Sequence, residues 1–195
     1  MAFWTEREVT PKFKDRFVLV INGKFTMFVK TVTKPTLTFD NKEYKMINHY
    51  FKYPGLPKWN TITVTFVDMN GGGNQKDELD ACKYLLSFAE NGKYSNPTET
   101  SSPSKKDMVE ALGEILIQQI STDKTEGSKV KVTEQWKLIN PIIRSINWGD
   151  LAYGSDEFVE YTLELDYDYA EHSSGQNIFG TQDVDTEQEN GDTSE

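Results

Sequence analysis

Cysteine and histidine are almost missing from this chain: Cys82, His49 and His172 are all that 195 residues contain. A lone cysteine excludes an internal disulfide and fits a reducing compartment. Two histidines, one in an aromatic stretch and one near an acidic C-terminal stretch, make no HExxH pattern, no Cys/His cluster and no Ser-His-Asp grouping. No metal and no cofactor are expected, and no catalytic residue is assigned. Long apolar runs are absent too, and a membrane-crossing helix needs about 20 such residues in a row. No membrane insertion is expected, and the Met1-Ala2-Phe3-Trp4 start lacks the apolar centre of a secretory leader. Gly71-Gly72-Gly73-Asn74 lacks the Lys-Ser/Thr pair of a phosphate loop and reads as a flexible joint. Asp183, Asp185 and Glu187 lack the glycine and closing glutamate register of a calcium loop. Basic clusters are missing as well, which disfavours tight binding to a phosphate backbone.

Aromatic residues are plentiful: eleven Phe, nine Tyr and four Trp, enough to build one globular core. The net charge of −10 is spread unevenly. Seven acids and no Lys or Arg fall between Ala170 and Glu195, which leaves 24 acids against 21 bases in the remainder. That C-terminal stretch is rich in Gly, Ser, Thr, Gln and Asn and buries too little to offset its ordering entropy, so its composition predicts disorder. The expected organisation is an N-terminal arm over 1–15, a β domain over 16–169 and an acidic tail over 170–195.

Hydrophobic periodicity supplies the elements. Arg16 to Ile21 is an apolar strand, and Asn22-Gly23 is a hairpin signal because a type I′ turn needs two positive φ angles. Its partner is expected over Lys24 to Val32, with a further strand at Thr36 to Phe39. From Trp59 to Asp68, Ile62, Val64 and Phe66 alternate with Thr61, Thr63 and Thr65. Two helices follow, about 76–90 and 105–120. The first carries an apolar stripe of Leu79, Cys82, Leu85, Leu86 and Ala89, so Cys82 is read as packing. The second opens on a capping box of Ser104 and Asp107. A Ser/Thr/Pro loop, Asn96 to Pro103, separates them. Period two returns over Lys129 to Leu138, then a turn marked by Pro141 and an Ile- and Trp-containing connection. A final strand over Val159 to Tyr169 would span about 33 Å fully extended. The fold class is α+β, mainly strands with two helices.

Two features are candidate sites. Asp40 to Pro57 is too polar for core and too aromatic for a plain linker. Tyr44, Tyr50, Phe51, Tyr53 and Leu56 could form a docking surface or fold back on their own sheet. The final strand carries Glu160, Glu164, Asp166 and Asp168 on one face, where alternate residues stand about 6–7 Å apart. Such a row is either a solvated acidic face or the carboxylate pair of a hydrolase.

The order of motifs resembles one family. HYFKYPGLPKWNTITVTFVD from His49 to Asp68, and W-x-L-x-N-P-x-I-x-S-I-N-W from Trp136 followed by FVEYTLELDYDY to Tyr169, are similar to tail tube proteins of contractile-tailed (T4-like) bacteriophages. The likeness covers most of residues 15–169. It implies an antiparallel β-sandwich or split barrel flanked by helices, a structural subunit that assembles into stacked hexameric rings. Through such a tube DNA passes during ejection. It further implies tail sheath and baseplate proteins as partners, and a place in the virion after assembly in the host cytoplasm. On this likeness the aromatic loop reaches the neighbouring ring. The lumen is lined by Glu160, Glu164, Asp166 and Asp168 or by Thr61, Thr63 and Thr65. The chain departs from the family in its acidic tail and in the Gly- and Ser/Pro-rich flanks of its helices. A type VI or extracellular injection tube, a baseplate tube initiator, and a generic binding module therefore stay open.

Overall fold

The computed structural model describes residues 11–26, 28–69, 80–93, 102–125, 129–154 and 156–174. The Gly71–Gly73 joint, most of the Ser/Thr/Pro loop, the first ten residues and the tail from 175 lie outside them.

The apolar run is β1 (Phe17–Ile21), and Asn22 and Gly23 turn the chain with φ of 50° and 72°, the two positive values the hairpin needs. β2 (Lys24–Thr26) returns antiparallel to it. The expected strand to Val32 is broken, because β3 (Val29–Val32) joins a different sheet. Phe28 makes the break. Its ring turns inward to lie 5.5 Å from Phe66 and 5.3 Å from Tyr84, so the backbone crosses the core there. β4 (Leu37–Phe39), β5 (Lys42–Met46), β6 (His49–Tyr53) and β7 (Pro57–Trp59) form an exposed arm, and β8 (Ile62–Val67) re-enters the body.

Helix α1 (Ala81–Asn91) starts at an Asp80 cap, whose carboxylate accepts from the Lys83 N–H at 3.0 Å. The expected start at Lys76 and the stripe residue Leu79 lie outside the described residues. Leu85 is buried as expected and Cys82 is half-buried against the core, but Leu86 faces solvent and Phe88, outside the expected stripe, is buried instead. Helix α2 (Lys105–Leu112) is capped by Ser104, whose hydroxyl accepts from Asp107 N–H at 3.2 Å and donates to its carboxylate at 2.6 Å. That hydroxyl, with Lys93, holds the Asp107 carboxyl below the usual range.

The expected helix over 105–120 ends at Leu112. Gly113 takes φ 59°, and a Cβ there would meet Asn22 Oδ1 at 2.7 Å. Beyond it, Ile115 and Ile117 are buried in strand β9 (Ile115–Thr125), paired with β1. Ile115 fits a helical stripe and a period-two strand equally. The place beside β1 decides between them.

β10 (Lys129–Ile139), β11 (Ile142–Asn147), β12 (Glu160–Asp166) and β13 (Tyr169–Ser173) complete the chain. The connection after Pro141 is thus itself a strand. The long final strand is two strands: β12 pairs with β8, whereas β13 pairs with β10 in the opposite sheet. Inward parity shifts at the crossing, from Tyr167 to Ala170, and Tyr169 is exposed. The β structure also runs past the expected boundary at 169, to Ser173.

Two antiparallel sheets result, one ordered β13-β10-β9-β1-β2 and the other β11-β12-β8-β3. Leu19, Ile21, Ile115 and Leu138 of the first meet Ile62, Val64, Phe66, Leu163 and Leu165 of the second, and Leu85 and Leu112 pack in from the helices. Each such side chain contributes about 1.5–3 kcal/mol when fully buried.

One ion cluster ties the sheets together. Glu134 on β10 accepts from Lys12 at 2.6 Å, from Lys34 beyond β3 at 2.7 Å and from the Trp136 indole at 2.7 Å. Burial pushes its pKa up, but these three donors outweigh burial and bring it from 4.5 to about 2. A carboxyl depressed in this way contributes stability above its unfolded value, and loses that contribution as pH falls through its folded value. The shift corresponds to about 3 kcal/mol at most. Glu134→Gln is expected to lower stability by about 2 kcal/mol at pH 6, with the gap from the parent closing between pH 4.5 and 2. Urea denaturation at several pH values measures it; a gap that does not change with pH would refute the clasp.

Candidate assembly surfaces

From Thr36 to Lys58 every residue except Gly55 is exposed. β4 pairs with β7 to form a stem, and β5 pairs with β6 to form a hairpin beyond it. At the junction Asp40 N–H donates to Leu56 O at 3.2 Å. A Cβ on Gly55 would fall 1.5 Å from Asp40 O, so only glycine lets the two chains cross this closely. The expected irregular loop is therefore a regular β arm. Its turn is Ile47-Asn48 rather than Asn-Gly, which is why turn chemistry did not reveal it.

Cross-strand register sorts the hairpin into two faces. Tyr44 lies opposite Phe51, Met46 opposite His49 and Lys42 opposite Tyr53, which gathers Tyr44, Met46, His49, Phe51 and Tyr53 on one side. The His49 and Phe51 rings touch edge to face, with centroids 4.8 Å apart. The other side carries Glu43, Lys45, Tyr50 and Lys52, with Glu43 paired to Lys52 and Lys45 over the Tyr50 ring at 5.8 Å. Of the five expected docking residues, Tyr44, Phe51 and Tyr53 share a face, Tyr50 lies on the opposite one and Leu56 lies at the junction. Met46, His49 and the tip residue Ile47 were missed. Ile47 is 83% exposed at φ 52°, a conformation β-branched residues avoid. A two-stranded hairpin is marginal alone in water, and this one exposes its apolar face.

The second surface is the outer face of the four-stranded sheet. Thr63 lies opposite Glu164 and Thr65 opposite Thr162, so the threonine row and the acidic row are neighbours on a single face. Thr61 donates to Asp166 at 2.7 Å and accepts from Arg144 at 2.7 Å. Ser145 donates to Glu164 at 2.8 Å, and Lys30 pairs with Glu160. Asp168 stands apart, in the crossing between β12 and β13. It accepts from Lys105 at 2.7 Å and from Asn140 at 2.7 Å, which hold its carboxyl below the usual range. The row thus consists of carboxylates already matched to cations and hydroxyls. Among the described residues, no group of three His, Cys, Asp or Glu could hold a metal ion, and no helix is long and apolar enough to cross a membrane.

No protein-family model and no curated protein matches the chain. Solved structures do. A chain of the sheath-tube complex of the extracellular contractile injection system PVC, in its extended state, is similar with a TM-score of 0.57 at 15% identity. The match covers 89% of this chain and 99% of that one. A chain of the anti-feeding prophage cap, which terminates the tube, gives 0.56 at 18% identity over 89% and 99%. One from the baseplate of the same particle gives 0.55 at 15% identity over 85% and 97%. At these identities the likeness is one of fold: antiparallel, mostly β with two helices, and shared with tube assemblies of contractile injection systems.

Proposed function

We propose that this chain is a structural subunit of the inner tube of a contractile tail-like machine, assembling as stacked hexameric rings, and not an enzyme. The observation that carries the reading is the exposed hairpin with one apolar face, projecting from a two-sheet body whose fold recurs in tube assemblies. In a stack of rings the face of Tyr44, Met46, His49, Phe51 and Tyr53, led by Ile47, would lie against the next ring. Tyr50 and Leu56 would flank that contact. The outer face of the four-stranded sheet, with Thr61, Thr63, Thr65, Glu160, Glu164 and Asp166, would line the lumen. Its cations Lys30 and Arg144 are engaged by carboxylates, so a passing polyanion would meet few free positive charges and slide.

In a T4-like phage tail that polyanion is DNA, with sheath and baseplate proteins as partners and the virion as the location. A second setting, an extracellular contractile injection system, is favoured by the source of the structural neighbours. The body over 16–173 would be the assembling unit, with the N-terminal arm and acidic tail as appendages. Negative-stain electron microscopy of the purified protein over a range of concentration and salt tests the reading. Rings or tubes with six-fold symmetry are expected, and monomers under all conditions would overturn it.

A further inference from the structure

The β11–β12 connection holds Leu151, Tyr153 and Phe158 in solvent, at 85%, 114% and 82% exposure, far beyond what a lone surface residue needs. Around them stand Asp150, Asp156 and Glu157, all exposed, with no ion-pair partner among the described residues. The base of this segment is nonetheless held. The Trp148 ring packs edge to face on Tyr161 with centroids 5.5 Å apart, and Gly149 N–H donates to Asn147 Oδ1 at 3.0 Å. An apolar, acidic segment is thus presented from an anchored base, which lowers the ordering cost of binding.

A complementary receptor lies at the other edge of the same sheet. A cleft of ≈ 700 Å³ opens between β1, β9 and β3, floored by Phe17, Val32 and Ile117 and rimmed by Lys14, Lys30 and Lys34, with Asp15 as its one acid. Lys30 is paired with Glu160 and Lys34 with Glu134, whereas no described residue pairs with Lys14. The segment leaves from β11 and the cleft is walled by β3, the two edge strands of the four-stranded sheet. Three inter-strand spacings, about 14 Å, separate those edges.

We propose that the β11–β12 connection of one copy, through Leu151, Tyr153, Asp156, Glu157 and Phe158, seats in the Lys14-rimmed cleft of the adjacent copy within a ring. The inference rests on the tube-subunit reading and adds the lateral contact to it. Different patches on opposite edges make a heterologous contact, the type that closes into rings when its rotation allows. Charge favours this occupant, since Asp150, Asp156 and Glu157 would meet Lys14, the rim lysine that no described residue pairs. The alternative apolar element, the β5–β6 hairpin, has Lys52 paired with Glu43 and Lys42 with Asp40 and brings Lys45, another cation, to the same site.

The test mixes ¹⁵N-labelled and unlabelled protein, lets it assemble, and joins touching amine–carboxylate pairs with a zero-length carbodiimide. Mixed-isotope peptides linking Lys14 to Asp156 or Glu157 are expected. In parallel, Lys14→Glu and Asp156→Lys are each expected to weaken ring formation about tenfold in sedimentation, and the double reversal to recover most of it. Circular dichroism of each variant checks that the fold is kept. Parent rings with links from Lys14 to the hairpin, or variants that assemble like the parent, overturn the seating and leave the tube reading intact. A parent that remains monomeric throughout overturns both.

Discussion

Replacing Tyr44 and Phe51 together by alanine is expected to abolish stacking of one ring on the next while the sandwich stays folded. The two rings lie directly opposite each other on β5 and β6, both exposed, in the middle of the apolar face. An aromatic side chain brings about 150–250 Å² to a contact, and a central one typically costs 2 kcal/mol or more on truncation. Two together amount to about 4 kcal/mol, roughly a thousandfold in stacking affinity. The melting temperature should hardly move, since neither ring touches the core of Phe66, Leu163 and Ile21. Glu43→Ala with Lys52→Ala is the control, because these residues lie opposite each other on the other face of the same hairpin. Tube length by electron microscopy and thermal melting are the two measurements. Equal loss from both faces would mean that the hairpin merely needs to fold, and unchanged tubes from the first pair would remove the arm from stacking.

Phe66→Ala is expected to cost about 3–5 kcal/mol, the range for truncating a buried phenylalanine. Phe66 is fully buried on β8, and its ring meets Phe28, which in turn meets Tyr84, whose ring lies 4.6 Å from Phe88 on α1. The residue thus joins the crossover between the sheets to the helix that closes the end of the sandwich. For a chain of this length the loss corresponds to a fall in melting temperature of roughly 10 °C or more. Phe66→Leu keeps most of the volume and should cost about 1–1.5 kcal/mol, so a graded series survives even if the alanine variant fails to fold. Denaturant and thermal unfolding measure both. A fall within 2 °C for the alanine variant would mean that the aromatic chain is not central to the core.

The hairpin turn at Asn22-Gly23, the inward rows Ile62-Val64-Phe66 and Tyr161-Leu163-Leu165 and the Ser104 cap were all legible in the residues. Each is settled within a few positions, by φ preference, by period-two alternation or by a side chain reaching its own backbone. The sequence by itself also determined that the acidity is concentrated in the C-terminal stretch and that chemistry-bearing histidine and cysteine are scarce. Tertiary structure decided where a run of good strand or helix residues is cut. Phe28 and the Asp166–Tyr169 crossing end elements because the chain must pass from one sheet to the other, and Gly113 ends a helix because the residues after it take the place beside β1; local periodicity carries no information about either. It also decided which residues share a face. The threonine and acidic rows, possible alternatives along the chain, are neighbours because β8 pairs with β12, while Tyr50 parts from Phe51 because adjacent residues of a strand point to opposite sides. Strand partners separated by about a hundred residues are chosen by the packing of the whole core. That choice, made by burial, turned a list of candidate residues into two surfaces.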